Sequence, residues 1–391
     1  MTVRDFTTAA ASDTQAPPRP RRGIRMLVVE PAGNLWGSER VLLDFLHCAA
    51  RSIDIGVCFP RATPIEAELA SLPVSRYPWF IADLHKKTRV SRALGAAGLI
   101  LAALRFRPNI IYVNQAGATR IAMLAARLLS VPILAHVRLA DDVDYIARLV
   151  TSHGFDGCVV AVSDYVRDRF RESGAIPEDR LHRLYDPYRS RDGAARPHEA
   201  GRGPAAPHFA SVGRIARLKG QDVLLDAIAV LKSENIEATV AFAGSAPDGD
   251  DFATHLQRHA VRLAIAEQVR WGGYQADVFA FAAGALAWIC PSWQESLGRV
   301  IFESLEAGCL PIAWSGSGGP AEVIRASGGG LLYEQQTGAS LAQAMKQAMA
   351  LSPHEYAQRV ERGRAWVVTN CAPPVFSRRM LEISQAMVCP V

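Results

Sequence analysis

Short apolar runs typical of buried strands alternate with helix-like segments along almost the whole chain, and this alternation restricts the fold more than any other feature. Clear examples are IRMLVVE (24–30), NIIYVN (109–114), CVVAVS (158–163), ATVAFAG (238–244) and ALAWICPS (285–292). Runs of β-rich apolar residues separated by helices indicate parallel strands that are covered on both faces. The sequence therefore predicts an α/β protein with doubly wound parallel sheets.

The predicted helices occupy the segments between strands. In the first half they are 39–51, a stretch that ends near Phe106, a stretch through Leu129 and 164–173; in the second half they are 221–233, about 252–264, a helix within 291–308 and a final long helix near 338–350. Ser163 is expected to be the N-cap of the helix that begins at 164, because its hydroxyl can accept a hydrogen bond from a free backbone amide.

A segment rich in Arg, Gly, Pro and Ala (188–207) has no periodicity and divides two α/β series, so it indicates a linker. The length of the chain also favours two domains. We expect a flexible tail (1–23), an N-terminal Rossmann-like domain (24–190), a linker (191–207), a C-terminal Rossmann-like domain (208–373) and a C-terminal helix (374–391) that could pack back on the first domain. Ligands of open α/β sheets bind at the carboxyl ends of the strands, so the site is expected in the loops that follow strands.

Charge and cysteine content restrict the classes of function. Lys and Arg exceed Asp and Glu by five, and much of that excess lies in the first 25 residues. Phosphate-backbone binding needs a concentrated basic face, so nucleic acid is not an expected partner. The seven cysteines form no CxxC pair, and the N-terminus has no apolar secretory core, which together favour a cytoplasmic location.

The loop VGRIARLKG (212–220) carries two cations after a predicted strand. Arg214 lies at the strand end, and Lys219 lies just before a helix whose N-terminus favours anions. This arrangement suits a diphosphate, although two surface cations beside a turn are an alternative. A second loop, WGGYQAD (271–277), is either a plain turn or a base-binding loop.

The stretch PSWQESLGRVIFESLEAG (291–308) carries Glu295 and, within an apolar run, Glu303. A carboxylate among apolar residues needs a polar partner unless it is exposed on its helix. If the helix begins near Leu297 or Gly298, Glu295 precedes it and Glu303 lies about two turns inside. The two do not form the facing carboxylate pair of a glycoside hydrolase. They fit instead two separate hydrogen-bond acceptors that bind different hydroxyls of one long ligand.

A dinucleotide site is a competing interpretation. In GSGGPAEVI (316–324), the pattern from Gly316 to Ala321 matches the loose dinucleotide fingerprint, with Glu334 near the position of a ribose-binding acid. An NAD(P)-linked oxidoreductase of this kind would leave the cations of 212–220 and the two glutamates unexplained.

Four segments together resemble the retaining glycosyltransferases of family 4, which have the GT-B fold. They are PAGNLWGSERVLLDFL, CVVAVSDYVRDRF, VGRIARLKG and PSWQESLGRVIFESLEAGCLPIAWSGSGGPAEVI. The resemblance covers the chain from about residue 24 and is stronger in the second half. It implies two Rossmann-like domains that face each other across a cleft, the N-terminal one (24–190) for the acceptor and the C-terminal one (208–373) for the nucleotide-sugar donor. It also implies transfer of a sugar, with retention, from a nucleoside diphosphate-sugar to a carbohydrate or lipid-linked acceptor in surface polysaccharide, lipopolysaccharide or glycolipid assembly. An inactive homologue that binds nucleotide-sugars is an alternative.

The resemblance also implies residue roles. Arg214 and Lys219 match the pair that neutralises the diphosphate, Glu303 matches the glutamate that holds the ribose, and Glu295 matches the one that contacts the transferred sugar. The amides of Ser296, Leu297 and Gly298 would lie near the sugar and phosphates, and Gly273 and Tyr274 would lie beside the base. In the first half, Gly33, Gly37 and Glu39 match the loop that approaches the diphosphate and the acceptor, and His136 would lie near the reacting sugar. The GG-x-x-E segment of the family is matched by Gly318, Gly319 and Glu322. The donor nucleotide, UDP or GDP, would be a co-substrate; no resident cofactor and no metal are expected, since two fixed cations suit the diphosphate.

Four positions depart from the family pattern and leave the acceptor open. They are Trp36 beside Gly37, Glu295-Ser296-Leu297-Gly298 in place of EGFG, Asn114 in place of a histidine, and Asp186-Pro187 in place of Asn-Pro.

The stretch 85–107, HKKTRVSRALGAAGLILAALRFR, is basic, then apolar, then basic again. A core-packed helix with a basic approach is the favoured interpretation. The alternative is peripheral contact with the inner face of a membrane, since positively charged amphipathic segments bind membrane surfaces.

Overall fold

The computed structural model describes residues 23–35, 37–79, 89–190, 208–247 and 249–389. The predicted linker at 191–207, nearly all of the predicted tail, Trp36 and the beginning of the basic stretch at 85 lie outside these residues.

Two parallel sheets organise the described chain. The first contains β1 (Arg25–Val29), β2 (Asp54–Pro60), β3 (Ser75–Trp79), β4 (Ile110–Val113), β5 (Ile133–Val137), β6 (Cys158–Ala161) and β7 (Leu181–Arg183). The second contains β8 (His208–Val212), β9 (Thr239–Ala243), β10 (Val269–Trp271), β11 (Ala287–Cys290), β12 (Leu310–Trp314) and β13 (Leu331–Tyr333). Their orders are β3-β2-β1-β4-β5-β6-β7 and β10-β9-β8-β11-β12-β13, and every neighbouring pair is parallel. The predicted doubly wound α/β architecture is confirmed.

Helices connect the strands. Those of the first half are α1 (Gly37–Ala49), α2 (Ile65–Ala70), α3 (Arg89–Phe106), α4 (Thr119–Leu129), α5 (Asp142–His153) and α6 (Asp164–Ser173). Those of the second half are α7 (Gln221–Ser233), α8 (Phe252–Arg262), α9 (Val278–Phe281), α10 (Val300–Glu306), α11 (Gly319–Ser327), α12 (Gly338–Ala350), α13 (Pro353–Cys371) and α14 (Pro373–Val388).

Helix ends follow local capping chemistry. The predicted N-cap is confirmed, because the Ser163 hydroxyl accepts a hydrogen bond from the Val166 amide at 3.2 Å. The prediction that 338–350 is the final long helix is wrong, since α13 and α14 follow it. The start of α13 was readable: Ser352 and Glu355 form a capping box, the S-x-x-E signature of a helix N-terminus.

Both faces of each sheet are buried. Along β1, Leu27 and Val29 belong to one core, while Met26 and Val28 belong to the core on the opposite face. This alternation follows from the two-residue period of a strand. The apolar run of 24–30 is continuous because neither face meets water.

Helix α14 packs on the first sheet although it follows the second in sequence. The ring of Phe376 lies 6.0 Å from that of Phe45 in α1 and 6.0 Å from that of His136 in β5. Met380, one turn further along, belongs to the same buried cluster as β1. The end of the chain is therefore part of the core under the first sheet.

Gly220 sets the spacing of two loops that follow strands. Its φ is +64°, and a Cβ there would lie 2.0 Å from the carbonyl oxygen of Pro291. We expect Gly220→Ala to lower the free energy of unfolding by about 3 kcal/mol or more. The strain of an alanine in the left-handed conformation and the cost of displacing the loop that contains Pro291 both contribute. Gly174 is a matched control with φ of +61° and open space around it, so Gly174→Ala should cost about 1 kcal/mol. Equal losses in thermal unfolding would contradict this account.

Candidate active site

The loops after β8 and β11 meet at the point where the strand order reverses. These strands are neighbours, but the chain continues from β8 to β9 on one side and from β11 to β12 on the other. A crevice opens at such a switch point, at the carboxyl ends of the strands. There the Lys219 ammonium from the first loop forms an ion pair with the Glu295 carboxylate from the second. β1 and β4 have the same relation in the first sheet.

A cleft of about 430 Å³ lies between the two halves at these loops. Its wall from the second half includes Lys219, Tyr274, Glu295, Gly298, Arg299 and Glu303, and its wall from the first half consists of Leu35, Gly37 and Arg40. Six of the predicted residues therefore come together although they are far apart in sequence. Arg40 and Arg299 were not predicted; only their positive charge beside predicted residues could have indicated them.

A second cavity of about 340 Å³ adjoins the cleft. The two share Gly37, Glu295, Gly298 and Arg299. Its further lining includes the predicted Ser296, Leu297 and His136, together with Asn114, Gln115, Arg138 and Asp186. Glu295 therefore lies at the junction of two connected spaces, which suits a residue between two substrates.

Some of the predicted residues lie outside the linings of these two spaces, among them Arg214, Gly33 and Gly273. The Arg214 side chain is exposed, and the carbonyl of this residue accepts a hydrogen bond from the Gln221 side chain. At Gly33, with φ of +76°, a Cβ would lie 2.5 Å from the Thr63 hydroxyl, so this glycine serves loop packing. Gly273 accepts from the Gly244 amide at 2.7 Å and orients its neighbour Tyr274, which is 79% exposed.

The helix that carries Glu303 begins later than predicted. Gly298 has φ of +74° and cannot belong to a right-handed helix, and α10 begins at Val300. Glu303 therefore lies in the first turn and not about two turns inside. Its neighbours Ile301 and Phe302 are buried, whereas Glu303 is half-buried and faces the cleft. The carboxylate buried within this helix is Glu306, which accepts a hydrogen bond from Tyr188.

His136 is held neutral in a buried polar cluster. Burial, and after it the Arg138 guanidinium, keep the pKa of His136 well below its usual range. Arg138 donates to Nδ1 at 3.0 Å, so the ring proton belongs on Nε2, which lies 3.6 Å from Asp186. Arg138 also pairs with Asp186 at 2.9 Å. His136 has no exposed surface, so it supports the Arg138–Asp186 pair in the wall of the second cavity.

A buried carboxylate that the sequence analysis missed organises the loop after β1. Glu30 accepts hydrogen bonds from the Ala32 amide at 2.8 Å, from Asn114 at 2.5 Å and from Gln115 at 3.0 Å. Gln115 also donates to Glu39 at 3.1 Å. Burial is the main cause that raises the pKa of Glu30 to about 7. Glu30 and Asn114 each end a strand-like run. Because ligands of open α/β sheets bind at the carboxyl ends of the strands, this position could have marked both residues as site candidates.

The glycines of the proposed dinucleotide fingerprint pack against protein. A Cβ on Gly316 would lie 2.6 Å from the Trp314 ring, and one on Gly318 would lie 2.8 Å from the Glu295 carbonyl oxygen; at the adjacent Gly319 it would lie 2.4 Å from Leu297 Cα. Glu334 is exposed, and its carbonyl accepts from Trp314 at 3.3 Å. Gly316 lies against Trp314, and the close approach at Gly318 and Gly319 is to the loop bearing Glu295, so contacts within the protein explain these glycines without a dinucleotide.

Glu322 joins the two halves. Its carboxylate accepts from the Asp164 and Tyr165 amides at 2.9 Å each and from the Tyr185 hydroxyl at 2.6 Å. It thereby caps the N-terminus of α6, a helix of the other half, where a negative charge is favoured. Ser296 adds a second bridge, accepting from the Ala140 amide at 3.0 Å.

Two absences hold for the described part of the chain. Its His, Cys, Asp and Glu side chains form no group of three or more that could hold a metal ion. Within the same residues, no helix combines the length and apolar character needed to cross a membrane.

Two family models match the chain. Glycosyltransferase Family 4 matches residues 37–188, and Glycosyl transferases group 1 matches residues 199–366. D-inositol 3-phosphate glycosyltransferase 2 of Catenulispora acidiphila is 32% identical over 213 residues, which are 49% of this chain and 48% of that protein. Spore coat protein SA of Bacillus subtilis is 32% identical over 118 residues, 29% of this chain and 31% of that protein. The chain thus spans less than half the length of these curated relatives.

Solved structures share the architecture along nearly their whole length. A glycosyltransferase from Rickettsia africae has a TM-score of 0.77 at 17% identity, covering 95% of this chain and 100% of that one. Anabaena HepE in complex with UDP and glucose has a TM-score of 0.72 at 18% identity, covering 92% and 98%. The two-sheet architecture is therefore the GT-B fold. With the two family models matched in order along most of its length, the chain belongs to the group 1 glycosyltransferases, of the family 4 type.

The buried position of Glu30 predicts a pH-dependent stability. Its raised pKa means that the folded protein binds this proton more tightly than the unfolded chain does. The resulting stabilisation is present below pH 4.5 and is lost as the pH rises through about 7, a change of about 3 kcal/mol in the free energy of unfolding. We expect Glu30→Gln to remove this part of the pH dependence in unfolding measurements from pH 4.5 to 8. Glu178→Gln, at an exposed carboxylate, should leave it in place; a wild-type profile matching that of Glu30→Gln would contradict the assignment.

Proposed function

We propose that the protein transfers a hexosyl unit from a nucleoside diphosphate-sugar to an acceptor hydroxyl with retention of the anomeric configuration. The observation that carries this proposal is the convergence of Lys219, Glu295 and Glu303 on one cleft, at the strand ends where the order of the second sheet reverses.

Lys219 would bind the diphosphate. Its ion pair with Glu295 is only partly buried, with 28% and 22% of the two side chains exposed, so a doubly charged diphosphate can compete for the ammonium. That exchange would release the Glu295 carboxylate to accept hydrogen bonds from the sugar. Arg299 and Arg40 are two further cations of the cleft, and the exposed Arg214 would have to turn inward to become a fourth.

Glu303 and Tyr274 would hold the nucleoside. Glu303 faces the cleft from the first turn of α10, where its carboxylate can accept from both hydroxyls of a ribose. The exposed ring of Tyr274 offers a surface on which a base can stack. UDP, rather than GDP, is the first nucleotide to test, because the similar structure of HepE holds UDP.

The second cavity would receive the acceptor. Its neutral polar groups, Asn114 and Gln115, suit carbohydrate hydroxyls, and the backbone of Ser296 and Leu297 forms the wall toward the donor. A role in lipopolysaccharide, surface polysaccharide or glycolipid assembly is supported by the similarity to WaaB, a lipopolysaccharide outer core galactosyltransferase. The acceptor would accordingly be a carbohydrate or a lipid-linked saccharide.

The chemistry would depend on electrostatic stabilisation of the leaving group. As the bond from the anomeric carbon to the phosphate oxygen breaks, negative charge grows on the diphosphate, and fixed cations such as Lys219 and Arg299 stabilise it. The acceptor hydroxyl would attack from the same face as the leaving group, and the departing phosphate oxygen would take its proton. Approach of the two halves would exclude competing water.

Donor binding is testable by thermal shift. With a nucleoside diphosphate at a hundred times its Kd, we expect about 2.7 kcal/mol of added stability. Lys219→Ala and Glu303→Ala should lose the shift, whereas Glu334→Gln, which changes only the fingerprint acid, should keep it. A shift with NAD(H) alone would overturn the proposal and return attention to the loop at 316–324.

Turnover and stereochemistry are testable without the natural acceptor. With water as acceptor, proton NMR should show that an α-linked UDP-sugar first releases the α-anomer of the free sugar. Lys219→Ala should lower kcat by about a hundredfold, because a fixed charge on the leaving group is lost. First release of the β-anomer would contradict retention. Nucleotide binding without turnover, even with glycan or lipid-linked acceptor fractions, would indicate the inactive homologue.

A further inference from the structure

The outer faces of α3 and α4 leave five leucines exposed to solvent. They are Leu94, Leu101, Leu104, Leu124 and Leu128, which are 48% to 66% exposed. Spacings of seven and three residues on α3, and of four on α4, place the leucines of each helix on one side. The two helices pack side by side, and their exposed sides together are called here the α3–α4 surface.

This surface lies in a long stretch without negative charge. Residues 84–140 contain nine Lys and Arg residues and no Asp or Glu. On the described helices, the exposed Arg120 begins α4, while the exposed Arg105 and Arg127 lie in the last turns of α3 and α4. Cations therefore lie at both ends of the α3–α4 surface.

The combination fits one kind of partner. Soluble surfaces usually intersperse both signs of charge and avoid contiguous leucines. Nucleic acid would use the arginines but not the leucines. A second copy would bring one cationic face against another in a two-fold interface, which charge repulsion disfavours. An anionic bilayer suits both the exposed leucines and the positive charge. Its headgroup phosphates attract the arginines, and the leucine side chains can be buried at the boundary between headgroups and acyl chains.

We propose that the α3–α4 surface docks peripherally on the headgroup layer of an anionic phospholipid membrane. The inference goes beyond the proposed sugar transfer, whose chemistry requires no membrane. It also extends the predicted contact at 85–107, because half of the surface belongs to α4. Helix α4 follows Gln115 and Ala116 closely in the chain, and these residues line the second cavity. Docking would thus bring that cavity near the membrane, where a lipid-linked acceptor would reside.

The test is co-sedimentation of the full chain with vesicles of equal parts phosphatidylglycerol and phosphatidylcholine, compared with phosphatidylcholine alone. The wild type should bind the mixed vesicles at low salt and lose binding as salt rises. Arg105→Gln with Arg120→Gln should lower the partition coefficient about fivefold for each arginine. Leu101→Gln with Leu128→Gln should lower it at least about tenfold.

Helix α8 offers a matched control on the other half. Val261 is 66% exposed and Arg258 is exposed, so Val261→Gln with Arg258→Gln repeats the same chemistry elsewhere and should leave binding unchanged. Thermal unfolding and the UDP-induced shift of each variant show that it is folded. They also separate a failure of docking from a failure of the proposed donor binding.

Three results would overturn the inference. The first is no binding by the wild type at low salt, or equal binding to phosphatidylcholine alone. The second is vesicle binding that neither pair of α3–α4 substitutions weakens. The third is a concentration-dependent dimer in sedimentation velocity that the leucine substitutions abolish, which would assign the surface to a second copy.

Discussion

Close packing of the segment 316–322 against the loop that bears Glu295 is the constraint on which the site depends. The Glu295 amide donates to the Ser317 carbonyl, and the Gly319 amide donates to the Glu295 carbonyl, each at 2.9 Å. These bonds require backbones too close for any side chain at Gly319. Three residues later, Glu322 caps a helix of the other half. One short segment therefore holds Glu295 in place and ties the two sheets together.

The two sheets use their strand ends differently. At the end of β8 and β11, the charged groups are partly exposed around the cleft, as a site for a charged and exchangeable ligand requires. At the ends of β1, β4 and β5, the polar groups are largely buried and bonded: Glu30 with Asn114, and Arg138 with Asp186, which follows β7. Buried polar groups are tolerable only when partners satisfy them, and Asn114, Arg138 and Asp186 of these bonded pairs line the second cavity on the side of the first half.

Much of the fold was predictable from periodicity. The predicted helix at 221–233 has the bounds of α7, and the apolar runs became parallel strands because both sheet faces are covered. Two short edge strands were missed. SRYPW of β3 and LHR of β7 lie at the edges of the first sheet, where alternation is weak and position in the sheet decides the structure. The start of α10 was misplaced because the left-handed Gly298 is a property of the folded loop. The linker at 191–207 stays a prediction.

The site divides in the same way. Lys219, Glu295 and Glu303 were predictable because each follows a strand that its own local sequence specifies. Local sequence by itself thus determined the two α/β series, their parallel strands and the charged loops at the strand ends, since these depend on side-chain period and on capping. Tertiary structure alone decided that Arg299 and Arg40 share the cleft, that His136 is buried and neutral behind Arg138, and that Glu322 joins the halves. Those outcomes depend on distances between segments far apart in sequence, and no local pattern carries that information.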